Sequence, residues 1–274
     1  MACLSISLFG AFHVTRDGQP VTAFESDQVR ALLAYLAVEQ HHPPMRGTLA
    51  DLLWPDHAET AARANLRHAL WRLRHAIGDH AAESPFVLST HQTVQINPAT
   101  EISVDVARFA GLMAACEQHA HDRLETCPAC IVRLREAIDL YRGAMLGGRA
   151  LSRSIVFEEW VRVTQERLHR MALAALGTLT EEAEARGAYA AAERYLQRCV
   201  ALDPWLEEAH YQLMRVLALA GWRSAAMAQY IRCRKILADD PGIEPSAQTT
   251  ALYEQIRTQT AQFSVLSWLR PYGN

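Results

Sequence analysis

The sequence predicts a mainly α chain that opens with a small β-sheet, and three observations carry that prediction. Apolar residues alternate only within about the first hundred residues, they recur at three-and-four spacing almost everywhere else, and the second half resembles itself at a shift of 34 residues. Leu4, Ile6 and Leu8, then Phe12 and Val14 beyond Gly10, alternate as strands do, and Asp17-Gly18 supplies a hairpin turn before Val21, so a small antiparallel sheet is expected first. Ser26 stands where an N-cap belongs, ahead of a helix carrying Val29, Leu32, Leu33, Leu36 and Ala37 that His41-His42-Pro43-Pro44 stops. A short second helix holds Leu49, Leu52, Leu53 and Trp54 up to Pro55. The third runs from about Thr60 to Gly78: Leu66, Leu70, Leu73 and Ile77 fall within roughly 60° of one another at 100° per residue, and Gly78 suits a C-cap. Two short strands follow between Phe86 and Ile96 around the polar tip Thr90-His91-Gln92, and Asn97-Pro98-Ala99-Thr100 turns the chain. A small sheet, three helices and a wing hairpin make a winged helix of residues 1–100.

From Val106 to about Thr260 strand patterning gives way to alanine-rich helix. The 34-residue shift aligns Gly187 with Gly221, Ala191 with Ala225, Ala192 with Ala226, Arg198 with Arg232 and Cys199 with Cys233; Ala175 and Leu179 match Ala209 and Leu213 in the preceding helix. A helix-turn-helix period of that length, with small residues where helices cross closely, is the signature of tetratricopeptide repeats. Leu202-Asp203-Pro204 sits where such a repeat closes its second helix. Residues 101–260 are therefore expected to be an α-helical tetratricopeptide-like domain with a small insertion over Asp239 to Glu244, and 261–274 a loose tail.

Half of the residues are apolar and the formal net charge is only −3, so the chain can bury enough surface to offset its conformational entropy, and general disorder is excluded. No apolar run approaches the 18 or so residues of a membrane span, and the start, Met1-Ala-Cys-Leu-Ser-Ile-Ser-Leu, has no positive region ahead of its apolar residues. The expected compartment is the cytoplasm, with no membrane partner. Lys235, the only lysine, has no glycine loop before it, which removes the nucleotide-binding P-loop. No Gly-x-Ser-x-Gly, His-Glu-x-x-His or strand-linked Gly-x-Gly-x-x-Gly occurs either. A role other than catalysis, with no required cofactor, is expected.

Two constellations carry chemistry. With its leucine stripe turned inward, the 60–78 helix presents Asn65, Arg67, His68, Trp71, Arg72 and His75 on its other side. Guanidinium groups reach phosphates and guanine edges, an amide reads adenine, and a helix fits the major groove of double-stranded DNA. Trp71 ranks below Arg67 and Arg72, because a large apolar ring also packs well against a wing or a helical domain. The rival reading is the solvated side of an amphipathic helix. Charge does not separate the two: residues 60–80 hold four arginines against one aspartate, yet residues 1–110 hold eight arginines against eleven acidic residues, where dedicated nucleic-acid domains are usually basic. Binding of this kind uses few phosphate contacts and has a modest salt slope.

The second constellation is Cys116-x-x-His119-x-His121-x5-Cys127-Pro-Ala-Cys130, five donors for the four positions of a tetrahedral zinc. Three readings are open: a structural zinc clip with no open position for catalysis, small buried cysteines beside a helix that Thr126 caps and Pro128 begins, and a redox disulfide. Six cysteines in all are too dilute for a disulfide scaffold. Cys199 and Cys233, and most of Trp160, Trp205, Tyr211, Trp222 and Tyr230, are expected in the repeat core. Arg232-Cys233-Arg234-Lys235 is either a partner-facing patch or a solvated helix face.

The run Val29-Arg-Ala-Leu-Leu-Ala-Tyr-Leu-Ala, then Leu52-Leu53-Trp54-Pro55-Asp56, then Ala64-Asn65-Leu66-Arg67-His68-Ala69-Leu70-Trp71-Arg72-Leu73-Arg74 resembles the OmpR-type winged helix of the antibiotic-regulatory-protein (SARP) transcriptional activators. Leu140-Tyr141-Arg142-Gly143, Phe157-Glu158-Glu159-Trp160 and Pro245-Ser246 to Leu252-Tyr253 resemble the bacterial transcriptional activator domain that follows it. The resemblance spans nearly the whole chain. It implies a transcriptional regulator, an activator, whose winged helix binds promoter repeats, commonly as a dimer. The 60–78 helix would be its recognition helix and the 86–96 hairpin its wing, with the helical domain serving self-association and contacts with RNA polymerase. Two departures stand out. The wing tip Ser89-Thr90-His91-Gln92-Thr93 lacks the glycine and basic residues often seen there, so the resemblance does not carry minor-groove contact by the wing. Many larger relatives also continue into an ATP-hydrolysing domain where this sequence stops, as a short form or a truncated gene does. Two other functions stay open: an interaction module whose winged helix leaves DNA alone, and a metal- or thiol-responsive regulator.

Overall fold

Leu4 and Ile6 are buried and Cys3, Ser5 and Ser7 are half-buried on β1 (Cys3–Ser7), the first strand of a computed structural model that describes residues 3–79, 82–148, 151–239 and 243–258. β2 (His13–Arg16) pairs antiparallel with β1, Ile6 opposite Val14, and β3 (Gln19–Pro20) pairs with β2. Between them Asp17 and Gly18 lie at φ 51° and 78°, the left-handed pair that a tight two-residue hairpin requires. α1 (Asp27–Val38), α2 (Arg46–Leu53) and α3 (Glu59–Ala76) follow, then a hairpin of β4 (Val87–Ser89) and β5 (Val94–Ile96). Ser26 does occupy the N-cap of α1, where its backbone carbonyl accepts from Val29 N–H at 3.2 Å and its hydroxyl makes no capping bond.

β6 (Glu101–Val104) was not foreseen in the sequence. It runs parallel to β1, Ile6 beside Val104, so the sheet has the order β3-β2-β1-β6 and is mixed, not purely antiparallel as expected. Its alternation, Ile102 and Val104 against Glu101 and Ser103, is only two pairs long and runs straight into helix, too short a signal to separate from the preceding turn.

The chain forms two compact units, Met1–Gln118 with Glu136–Met171 and His119–Arg135 with the chain from Ala172 onward. The first contains the winged helix together with α4 (Asp105–Glu117), the end of α5 (Pro128–Leu140) and the first half of α6 (Ile155–Ala185). Three anchors, Asp105 and Tyr141 buried and Trp160 half-buried, hold these parts together. Asp105 Oδ1 accepts from the N–H groups of Leu8 and Val106 (both 2.8 Å), while Oδ2 accepts from Phe9 N–H (3.1 Å) and Arg142 Nη2 (2.8 Å). Burial pushes the Asp105 carboxyl above its ordinary range even though these donors all favour the charged form. Tyr141 packs its ring 4.8 Å from that of Phe9 and 5.7 Å from that of Phe109. Trp160 lies against Tyr35 and Phe157 and donates from Nε1 to Glu39 at 3.0 Å. Two segments picked out in the sequence thus serve as internal packing, Leu140–Gly143 against Phe9, Phe109 and Asp105, and Phe157–Trp160 against the end of α1.

The second unit contains α7 (Tyr189–Leu202), α8 (Glu207–Leu219), α9 (Arg223–Leu237) and α10 (Ala247–Thr258). The 34-residue period is written into its backbone. Gly187 and Gly221 lie at φ 68° and 82°, and the next residues, Ala188 and Trp222, each donate back to the carbonyls of Ala183 and Leu217 at 2.8 Å, the same glycine-terminated helix end twice over. Ala192 and Ala226 are fully buried, and so nearly are Cys199 and Cys233, whose thiols burial pushes up to about 11. Tyr230 is buried as expected, but Trp205 and Trp222 are not: they are 48% and 44% exposed because they fall in the turns that lead into α8 and α9 and not on a packed helix face. His210 and Gln229 form a buried polar pair. His210 Nε2–H donates to Pro204 O (3.0 Å) and its Nδ1 accepts from Gln229 Nε2 (2.7 Å), which fixes a neutral imidazole whose pKa desolvation lowers. Half of the insertion expected over Asp239 to Glu244, residues 240–242, lies outside the described residues, and the 261–274 tail wholly so. Among the described residues no helix is long and apolar enough to cross a membrane.

Candidate nucleic-acid interface

α3 is held in place by its apolar face and by its C-terminal end. Ala62, Leu66, Ala69, Leu70 and Leu73 are buried against α1 and α2. Gly78 takes φ 69° just beyond the helix, and Arg16 of β2 donates from Nη1 to the carbonyls of Ile77 (3.3 Å) and Gly78 (2.8 Å). That guanidinium satisfies carbonyls the helix leaves open and fills the space a side chain at position 78 would need. Glu59 in the first turn and Arg74 and His75 in the last complement the helix dipole.

So anchored, α3 exposes Arg67, His68, Trp71, Arg72 and His75, and leaves Asn65 half-buried, all on the side away from its leucines. Trp71 is 56% exposed and stacks on His75, ring centroids 5.7 Å apart and 7° from parallel, so the two form one flat surface element one helical turn long. Asn65, His68 and Arg72 form the other flank. They line an open cleft of about 550 Å³ with Gln28, Trp54 and His57, and Arg72 Nε is 3.0 Å from Glu25. The six residues singled out in the sequence therefore share one side of one helix, five of them divided between two neighbouring sub-surfaces and Arg67 exposed beside them.

A seventh residue joins them that sequence reasoning missed. Arg46, the first residue of α2, donates to Ser89 Oγ of β4 at 2.8 Å, while its N–H donates to Gln92 O at 2.7 Å. Burial lowers the Arg46 pKa, and the nearby charges of Arg74 and Arg67 lower it further. Arg63 is paired with Glu59, Arg72 with Glu25 and Arg74 with Asp79; among the described residues Arg46 and Arg67 have no carboxylate within 4.0 Å. The wing tip is closed by Thr90, whose Oγ1 accepts from the N–H groups of Gln92 (3.1 Å) and Thr93 (2.9 Å). The wing carries no arginine or lysine of its own, but it holds one from α2 beside the exposed face of α3. The only sequence signal for Arg46 was a lone arginine following two prolines, which says nothing of the hairpin it reaches 43 residues later.

The cysteine and histidine cluster forms in the second unit. His119 Nδ1 is 3.5 Å from both Cys127 Sγ and Cys130 Sγ, and His121 Nδ1 is 4.0 Å from Cys130 Sγ. The donor atoms that lie mutually close are those of His119, Cys127 and Cys130; His121 is outside that trio, and so is Cys116, which belongs to α4 of the first unit. Pro128 does begin α5, but Thr126 does not cap it: its hydroxyl donates to Arg123 O within the preceding turn. The Cys130 backbone N–H, chief among several donors at the start of α5, draws the Cys127 thiol below its ordinary pKa.

Comparison with known proteins matches residues 104–257, more than half of the chain, to the family model for the bacterial transcriptional activator domain. The chain belongs to that family. Over 253 residues it is 28% identical to the regulatory protein AfsR of Streptomyces coelicolor, covering 92% of this chain and 24% of AfsR. It is 27% identical to the regulatory protein DnrI of Streptomyces peucetius over 266 residues, 92% of each. Among solved structures it is similar to Mycobacterium tuberculosis EmbR in complex with a low-affinity phosphopeptide, with TM-score 0.66, 25% identity, and coverage of 96% of this chain and 67% of that one. The chain thus spans about a quarter of AfsR and two thirds of the EmbR chain. The activator-domain match begins at the last residue of β6, so Asp105, Tyr141, Arg142 and Trp160 belong to it, while α3, the wing and Arg46 precede it.

Proposed function

We propose that the chain is a sequence-specific DNA-binding transcriptional regulator of the bacterial cytoplasm, an activator, with α3 in the major groove of promoter DNA. One observation carries this reading: Arg67 on the exposed side of α3 and Arg46, bonded to the wing at Ser89, are two arginines from separate elements with no carboxylate within 4.0 Å among the described residues, and the charge of Arg67 bears on Arg46. Like charges of this kind repel one another, and a phosphate bound at Arg46 relieves that repulsion while Arg67 on α3 faces base edges. Next to them His68, Arg72 and Asn65 supply donors and acceptors suited to base edges. The net negative charge of the first 110 residues agrees with a footprint of few phosphates. Membership of the activator-domain family and the names of the relatives supply the regulatory half of the proposal. Promoter binding as a homodimer and contact with RNA polymerase through the helical domain belong to it as well, and the exposed Trp205 and Trp222 offer apolar contact area for a protein partner.

Selection of genomic DNA fragments on the purified chain, at low and at physiological salt, tests it. A repeated motif that stays enriched at physiological salt is the expected outcome. Recovery of no DNA, or of random fragments lost as salt rises, would instead assign the function to protein partners of the helical unit.

A further inference from the structure

The segment ahead of α5 brings four soft donors together from a stretch of twelve residues. His119 and His121 approach from the loop that follows α4, Cys127 stands immediately before Pro128, and Cys130 lies in the first turn of α5. A tetrahedral zinc with bonds of about 2.3 Å to sulfur and 2.0–2.1 Å to nitrogen sets a sulfur and a nitrogen ligand roughly 3.5 Å apart. The His119 ring nitrogen has that separation from both sulfurs, and the donor atoms of His119, Cys127 and Cys130 all lie within 4.8 Å of one another. His121 Nδ1 lies 4.0 Å from Cys130 Sγ, outside that trio, and would supply the fourth donor. From these distances we infer a zinc site of the Cys2His2 type, with His119, His121, Cys127 and Cys130 as ligands.

The chemistry of the set agrees with the geometry. Two thiolates and two neutral imidazoles cancel the charge of one Zn²⁺, and four protein ligands leave no place for a reactive water, so the site is structural. The backbone N–H groups of Cys130 and Ala129 at the start of α5 donate toward the Cys127 sulfur, as a thiolate at a helix N-terminus requires, and Arg133 Nη1, 3.8 Å from Cys130 Sγ, is a donor to the other sulfur. The ion would clip the loop of residues 119–127 to the first turn of α5, all within the second unit. The inference stands independently of DNA binding, since none of its ligands lies in the winged helix.

Metal analysis of the full chain purified without chelator is the test, joined to cobalt substitution. A single zinc per chain is expected, and Co²⁺ in its place should show thiolate-to-metal charge-transfer absorption with tetrahedral d–d bands. Both should be lost in the paired variant Cys127→Ser, Cys130→Ser and kept in Cys116→Ser, and a chelator should lower the unfolding temperature of the wild type and of Cys116→Ser. Should the paired variant not fold, His121→Ala, which keeps both thiols, is expected to bind Co²⁺ at least tenfold more weakly than the wild type. Wild-type protein with no zinc and no cobalt absorption would overturn the assignment, as would zinc retained after loss of both cysteines or a Cys127–Cys130 disulfide in protein prepared without oxidant.

Discussion

Asp105 concentrates more of the fold in one side chain than any other described residue. Its two oxygens take three backbone N–H groups and one guanidinium, at the point where β1 leaves the sheet and α4 begins. Replacing Asp105 with Asn keeps the shape but turns an NH2 group toward at least one of those donors, leaving buried N–H groups unsatisfied. The expected loss is roughly 3 kcal/mol of unfolding free energy, read from denaturant melts. An unchanged midpoint would show that the anchor is not needed. At the same scale, the exposed residues of α3 were legible in the sequence because a helical wheel separates faces reliably; Arg46 was not, because its role depends on a hairpin distant in the chain. The trio of His119, Cys127 and Cys130 was legible as part of a spacing pattern, but which of the pattern's five donors come closest together was not, since spacing alone does not say which of them a loop will gather.

Among the elements, the helical repeats were the most legible, because one glycine-terminated turn recurs with the same hydrogen bonds at Gly187 and Gly221. β6 was the least legible, since a two-pair alternation acquires meaning only when a partner strand lies beside it. Within the repeats, His210 is the element that responds to pH. Its folded pKa lies below the ordinary 6.5, so the unfolded chain takes up the proton more readily than the folded one. The stability held by the neutral, doubly bonded ring is complete above about pH 6.5 and is lost as the pH falls through the window between that value and the lowered folded pKa. Unfolding measured between about pH 7.5 and 5 should therefore show stability declining on the acid side. The His210→Gln variant should show a shallower decline in that window, and an identical acid slope would remove His210 as its source.

For the molecule as a whole, the family's own motif residues act as mortar inside the first unit. Asp105, Tyr141, Arg142 and Trp160 lie in the activator-domain match, yet Tyr141 packs on Phe9, Trp160 on Tyr35 and Glu39, and Asp105, bonded to Arg142, holds the N–H groups of Leu8 and Phe9, while the N–H groups of Gly10 and Leu146 bond to Ala144 O and Leu8 O across the same seam. A fragment ending after β6 would lose all of these contacts, whereas one ending at residue 171 retains them. The shorter fragment is expected to unfold at a markedly lower temperature than the longer one, and equal melting would mean that the winged helix is self-sufficient. This coupling also links the winged helix, proposed to read DNA, to the domain that names the family. The central claim is that α3 and the arginine held by the wing bind DNA, one by reading sequence and one by touching phosphate. It is tested most directly by measuring, over a salt series, the affinity of wild type, Arg67→Ala and Arg46→Ala for a selected operator and for a scrambled copy. Arg46→Ala should weaken both DNAs equally and lower the salt slope by about 1, while Arg67→Ala should cost about 1–3 kcal/mol on the operator and less on the scrambled site. Wild-type affinity for both DNAs in both variants would contradict the account.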